Sequence, residues 1–116
     1  MKNIFYRPFV LGIDVGATNI KFGLVDSRGK IMAASNLATA NFLSHKSQLI
    51  QGLLEECSAL LKKHRLKKKD ILGVGMGLPG LVDGIRGIVR LLPNIPEWKD
   101  VPLKEIMERR LHIPTF

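Results

Sequence analysis

"GIDVGATNIKFGLVD", residues 12–26, sets an acid, a glycine turn and a threonine between two short apolar runs. Upstream the first run extends to "PFVLGIDV", and downstream Ile20, Phe22 and Leu24 alternate as in a half-buried strand. Two strands closed by a glycine turn make an antiparallel hairpin. The same turn could equally serve phosphate, because backbone N–H groups around a glycine can form a nest for its oxygens. Asp14 could hold Mg²⁺ through water, Thr18 adds a hydroxyl donor, and Lys21 follows on the second strand. Positioning, a metal and donors aimed at developing charge are the parts phosphoryl transfer requires. From this stretch alone two readings stand level. One is a plain hairpin with Asp14 as a turn acid; the other is a phosphate loop of Asp14, Gly16, Ala17, Thr18 and Lys21.

Further along, "SRG" at 27–29 signals a turn and "KIMAASNLAT" reads as a third strand, which completes a meander. The period then changes. Leu49, Ile50, Leu53, Leu54, Cys57, Leu60 and Leu61 recur at three- and four-residue steps, so 45–64 is expected to be an amphipathic helix capped by Ser44 or Ser47. "ILGVGMGL" carries too many glycines for a helix and reads as a buried strand. The stretch "PGLVDGIRGIVRLLPNIPEW" is loop-rich, with "GIVRL" a short strand. Pro102 opens a second helix, "PLKEIMERRL", and "HIPTF" starts another strand. The order β-β-β-α-β-α-β gives an α/β fold: a three-stranded antiparallel meander followed by α/β crossovers in a mixed sheet with helices against it.

At 116 residues the chain holds one domain or part of one, and no linker or repeat divides it. The apolar run at 9–13 is too short for a signal peptide, and no stretch approaches the length of a membrane helix, so a cytoplasmic protein without membrane contact is expected. Cys57 is the single cysteine, which excludes an internal disulfide and offers no metal spacing. It reads as a buried core thiol, not a zinc ligand. The net charge of +8 is concentrated in "KKHRLKKK", 62–69. Cations there complement the negative end of a helix dipole, and no aromatic side chains are interleaved for bases to stack on. A solvated helix end is therefore preferred over a nucleic-acid patch.

Two familiar nucleotide-binding motifs fail. No run fits the P-loop spacing. Gly75, Gly77 and Gly80 do satisfy G-x-G-x-x-G, yet "LVDGIRGIV" follows where the dinucleotide motif needs a helix N-terminus.

Two further blocks, "GVGMGLPGLVD" at 73–83 and "LLPNIPEWKDVPL" at 91–103, stand downstream of the first. In their order and spacing the three blocks resemble the ROK family of sugar kinases and repressors, within the actin-like ATPase superfamily. The resemblance runs from Val10 to Phe116 and implies a ribonuclease H-like lobe. It implies that Asp14, Gly16 and Thr18 form the first phosphate loop, contacting ATP phosphates and magnesium. Ala17 stands where the family often has a second glycine, and Asn19 where it often has lysine. Pro79 and Gly80 would shape the loop over the sugar, and Asn94 would hydrogen-bond a sugar hydroxyl; an Asx-type turn beside Pro93 is the alternative for Asn94. Trp98 and Leu103 are expected to pack.

In this family a strand beginning like "HIPTF" leads into an Asn-Asp pair whose aspartate is the general base. By the resemblance, that base lies beyond Phe116, no catalytic residue is present, and Asp26, Asp83 and Asp100 do not replace it. Residues 1–116 are thus expected to be a single N-terminal lobe, incomplete at its C-terminus, without a second domain. Any zinc would belong to the absent C-terminal lobe. The expected parent is an ATP-dependent kinase of a hexose or amino sugar, homo-oligomeric and glucokinase-like, with the 116 residues alone inactive. The alternative is the sugar-sensing lobe of a repressor, which would contact nucleic acid only through an upstream DNA-binding domain. Only nine residues, starting at Met1, precede Val10, which favours the kinase if Met1 is native.

Overall fold

The structure, a computed structural model, describes residues 8–93, 95 and 97–116. Three strands, β1 (Phe9–Val15), β2 (Asn19–Val25) and β3 (Ile31–Ala38), form the expected meander. A short 3₁₀ turn at Thr39–Phe42 leads to helix α1 (Lys46–Lys63), and the chain returns in β4 (Ile71–Gly77). The first sheet has the order β3-β2-β1-β4, with β4 parallel to β1 and the other pairs antiparallel. Thr115 bridges Val74 in parallel, with Phe116 N–H donating to the Val74 carbonyl at 2.7 Å. "HIPTF" therefore begins pairing on the far side of β4, as its sequence suggests.

Alternation decides which face of the sheet is covered. Leu11, Ile13 and Val15 of β1 and Ile20, Phe22 and Leu24 of β2 are buried, and the residues between them are not. Into the same core α1 sends Leu49, Leu53, Leu54, Cys57, Leu60 and Leu61. The helix starts without the expected serine cap: His45 is the N-cap and makes no side-chain capping bond, while Ser47 lies inside the first turn. Lys62 and Lys63 occupy the last turn, where cations suit the dipole. Helix α2 (Leu103–Leu111) follows Pro102, which sits at its N-cap, and buries Leu103, Met107 and Leu111.

The loop-rich reading of 79–98 needs correction. Beside the expected strand at Ile88–Leu91 (β6) stand two three-residue strands, β5 (Leu81–Asp83) within that stretch and β7 (Lys99–Val101) just after it. They form a separate antiparallel sheet of order β5-β6-β7. Arg90 of β6 reaches Asp83 on one side at 3.5 Å and Asp100 on the other at 3.1 Å, joining all three strands. Trp98 and Leu103 pack in the core, as expected. No helix among the described residues is long and apolar enough to cross a membrane.

Candidate functional site

The turn between β1 and β2 is held from two sides. Gly16 N–H donates to the Asn19 carbonyl at 2.9 Å, and a Cβ on Gly16 would lie 2.8 Å from that oxygen. Glycine is thus required by contact, since nothing wider passes the Asn19 backbone. From the end of β3, Thr39 donates its hydroxyl to the Gly16 carbonyl at 2.9 Å and its N–H to the Thr18 carbonyl at 3.0 Å. Thr39 is 3% exposed, so these bonds are shielded from water.

With the turn's carbonyls drawn toward Thr39, the N–H groups of Ala17 and Thr18 donate to no acceptor among the described residues, and both residues are exposed. Two unspent donors and a hydroxyl are what an anion needs. Gly16 itself contributes shape, because its N–H is spent inside the turn. Thr39 escaped the sequence reading, because nothing in "KIMAASNLAT" sets it apart from the neighbouring polar residues Ser35 and Asn36.

Asp14 is exposed near the C-terminal end of β1, opposite Lys21 on β2 and Gly77 on parallel β4. No ion pair joins Asp14 to Lys21 among the described residues. A Cβ on Gly77 would lie 3.8 Å from the Asp14 carboxylate, so the two strand ends approach closely. Asp14 and Lys21 border an open concavity of about 590 Å³ floored by Gly12, Gly23 and Gly75, where bare backbone faces outward. Strand pairing sets Ala34, Gly23, Gly12 and Gly75 side by side across four strands.

A lone exposed carboxylate suits magnesium, which keeps several waters and takes one or two protein carboxylates together with substrate phosphates. Among the described residues no group of three or more His, Cys, Asp or Glu forms a closed metal cage. Cys57 is buried in the core, and burial pushes its thiol up to about 12.

Pro79 and Gly80 follow β4 after Leu78 and are exposed. Gly80 packs against the Leu91 carbonyl so closely that any side chain would collide with it. This contact brings the "GLPG" loop against segment 91–93. Asn94 lies outside the described residues. The turn around Gly16 and the loop at 79–80 thus both extend from the C-terminal ends of parallel strands, where open α/β sheets bind ligands.

The other aspartates are engaged elsewhere. Asp26 accepts N–H bonds from Arg28 and Lys30, both at 2.9 Å, in the β2–β3 turn. The N–H of Arg86, reinforced by the charges of Arg86 and Arg90, holds the Asp83 carboxyl below its ordinary value. Asp100 is paired with Arg90. Carboxylates held in this way are poor general bases.

A meander-led mixed sheet with this turn at its strand ends defines the first lobe of an actin-like sugar kinase fold. The chain belongs to the ROK family, whose profile matches residues 10–116. A glucokinase of Thermotoga maritima is 32% identical over 110 residues, covering 92% of this chain and 32% of that protein. A xylose repressor of Caldicellulosiruptor bescii is 30% identical over 107 residues, covering 92% of this chain and 26% of that protein. The crystal structure of a ROK family glucokinase from Streptomyces griseus, in complex with glucose and AMPPNP, superposes with a TM-score of 0.69 at 28% identity. That match covers 92% of this chain and 31% of the other. The chain therefore spans between a quarter and a third of the length of these relatives.

Proposed function

We propose that these 116 residues are the N-terminal lobe of an ATP-dependent hexose kinase. The observation that carries this reading is that exposed Asp14 shares one strand end with the Ala17 and Thr18 N–H groups, which donate to no acceptor among the described residues. The two N–H groups and the Thr18 hydroxyl bind phosphate oxygens of ATP, and Lys21 adds positive charge from the adjoining strand. Asp14 would hold Mg²⁺ through water, and the ion would supply charge neutralisation on the phosphates. Pro79 and Gly80 shape the sugar loop, and Asn94 holds a sugar hydroxyl. In this reading the base that takes the hydroxyl proton lies outside these residues, as the ROK resemblance implies, and Asp26, Asp83 and Asp100 are each engaged in contacts of their own.

A second reading is a sugar-sensing lobe of a repressor, favoured by a xylose repressor matching at 30% identity, close to the glucokinase at 32%. Sensing a sugar places no demand on the Asp14 carboxylate, whereas phosphoryl transfer does. In the full-length parent, Asp14→Ala is expected to abolish ATP-dependent hexose phosphorylation while glucose binding, followed by calorimetry, stays close to wild type. A parent that binds sugar but never consumes ATP, with or without Asp14, would support the repressor instead.

A further inference from the structure

The basic corner after α1 is not explained by the site above. Between residues 62 and 70 six cations stand against the single carboxylate of Asp70, which accepts the Lys67 N–H at 2.7 Å. Lys62, Lys63, Arg65, Lys67, Lys68 and Lys69 are all exposed. Lys62 and Lys63 offset the helix dipole. The cations at 65–69 lie past the helix end, so that role does not account for them. This corner also lies at the wrong end of the sheet for ATP. It adjoins the start of β4 at Ile71, whereas Asp14 faces Gly77 at the strand's other end, roughly 20 Å away by strand rise.

The corner is also hollow. A concavity of about 620 Å³ opens there, with Leu61 and Leu66 as its floor and Lys62, Lys67, Lys68 and Lys69 at its rim. Leu61 is buried and Leu66 half-buried, so neither projects as a wedge into a lipid bilayer. A phosphodiester backbone has nothing apolar to place on such a floor, and no Phe, Tyr or Trp lies between 58 and 70 to stack a base. An apolar floor inside a cationic rim is complementary to large apolar side chains flanked by carboxylates.

We propose that this corner is a docking site for an acidic segment of a partner protein, which seats an apolar anchor on Leu61 and Leu66 and sets its carboxylates against Lys67 and Lys68 at the rim. The rim charges speed encounter and fix orientation, and the desolvated anchor slows release.

The test uses the full chain and a short fluorescein-labelled peptide of acidic residues around a central Leu-Phe pair, with binding followed by anisotropy. Exchanging the Leu-Phe pair for Ala-Ala should weaken binding about tenfold or more, as expected for a buried anchor. The double variant K67E/K68E should weaken it by about tenfold or more as well, with the loss shrinking as salt is raised. Both substitutions are on exposed side chains, and an unchanged melting curve by circular dichroism separates lost binding from lost fold. Absence of peptide binding to the wild-type chain would overturn the proposal. So would equal affinity for the Ala-Ala peptide, which would leave only a general polyanion surface. Tighter binding of duplex DNA, or of phosphatidylserine vesicles, would equally overturn it by assigning the corner to another class of partner.

Discussion

Thr39→Val removes the one hydroxyl that braces the β1–β2 turn and leaves nearly everything else in place. Valine keeps the side-chain shape and the β-branched character, and the Thr39 N–H bond to the Thr18 carbonyl, 3.0 Å long, remains. What goes is the 2.9 Å bond to the Gly16 carbonyl, which then faces an apolar methyl. Leaving a buried acceptor unsatisfied costs about 1–3 kcal/mol, and Gly16 is only half-buried, so about 1–2 kcal/mol is expected. For a domain of this size that lowers Tm by roughly 5–10 °C. Thr39→Ser is the control, because it keeps the hydroxyl and loses only the methyl. The two variants should be compared by thermal unfolding, followed by circular dichroism. Valine should melt well below wild type, with serine between them. If valine melts with wild type and serine falls, the methyl anchors Thr39 and the hydroxyl tether is not what holds the turn.

Three further outcomes follow from the packing. Gly52→Ala should destabilise the chain by about 1 kcal/mol in urea unfolding, because a Cβ there lies 2.5 Å from the Phe42 ring. In a Phe42→Ala background the same change should stabilise by about 1 kcal/mol, the ordinary helix preference for alanine; stabilisation with Phe42 intact would refute the clash. Gly80→Ala drives a Cβ into the Leu91 carbonyl, so glucose affinity of the parent, measured by calorimetry, should fall about tenfold or more as the loop shifts. Unchanged affinity would detach this loop from the sugar. The Cys57 thiol is raised from 9.0 to about 12 by burial, so the folded state keeps its proton longer than the unfolded state. Its contribution to stability is constant below pH 9 and declines as pH rises from there toward 12, by up to about 1.4 kcal/mol per pH unit. Urea unfolding of wild type and Cys57→Ala across that range checks this; equal slopes would place the thiol in contact with water.

The meander and α1 were legible because their apolar residues repeat with periods of two and three to four over seven residues or more. Strands β5 and β7 were not, since three residues carry almost no period. They pair with β6 on either side, where Arg90 also reaches both neighbours, contacts that no local pattern encodes. The hairpin turn at Gly16 could be read from a glycine set between two apolar runs, and that turn is there. Thr39 could not, because it acts on Gly16 from 23 residues away. Nor could the close approach of Gly80 to Leu91, which depends on how the second sheet folds back.

The strand order bears on how the chain assembles. Asp14 and Lys21 meet within one hairpin, of the kind that closes in about 1–10 μs. Asp14 and Gly77 meet across about sixty intervening residues, so loop-closure entropy delays that pairing. During synthesis the β1–β2 turn is therefore formed while β1 still offers an open edge to any passing strand. Helix α1 must emerge and fold before β4 can seal that edge. The interval between the two events is when a nascent chain of this design is most exposed to mispairing.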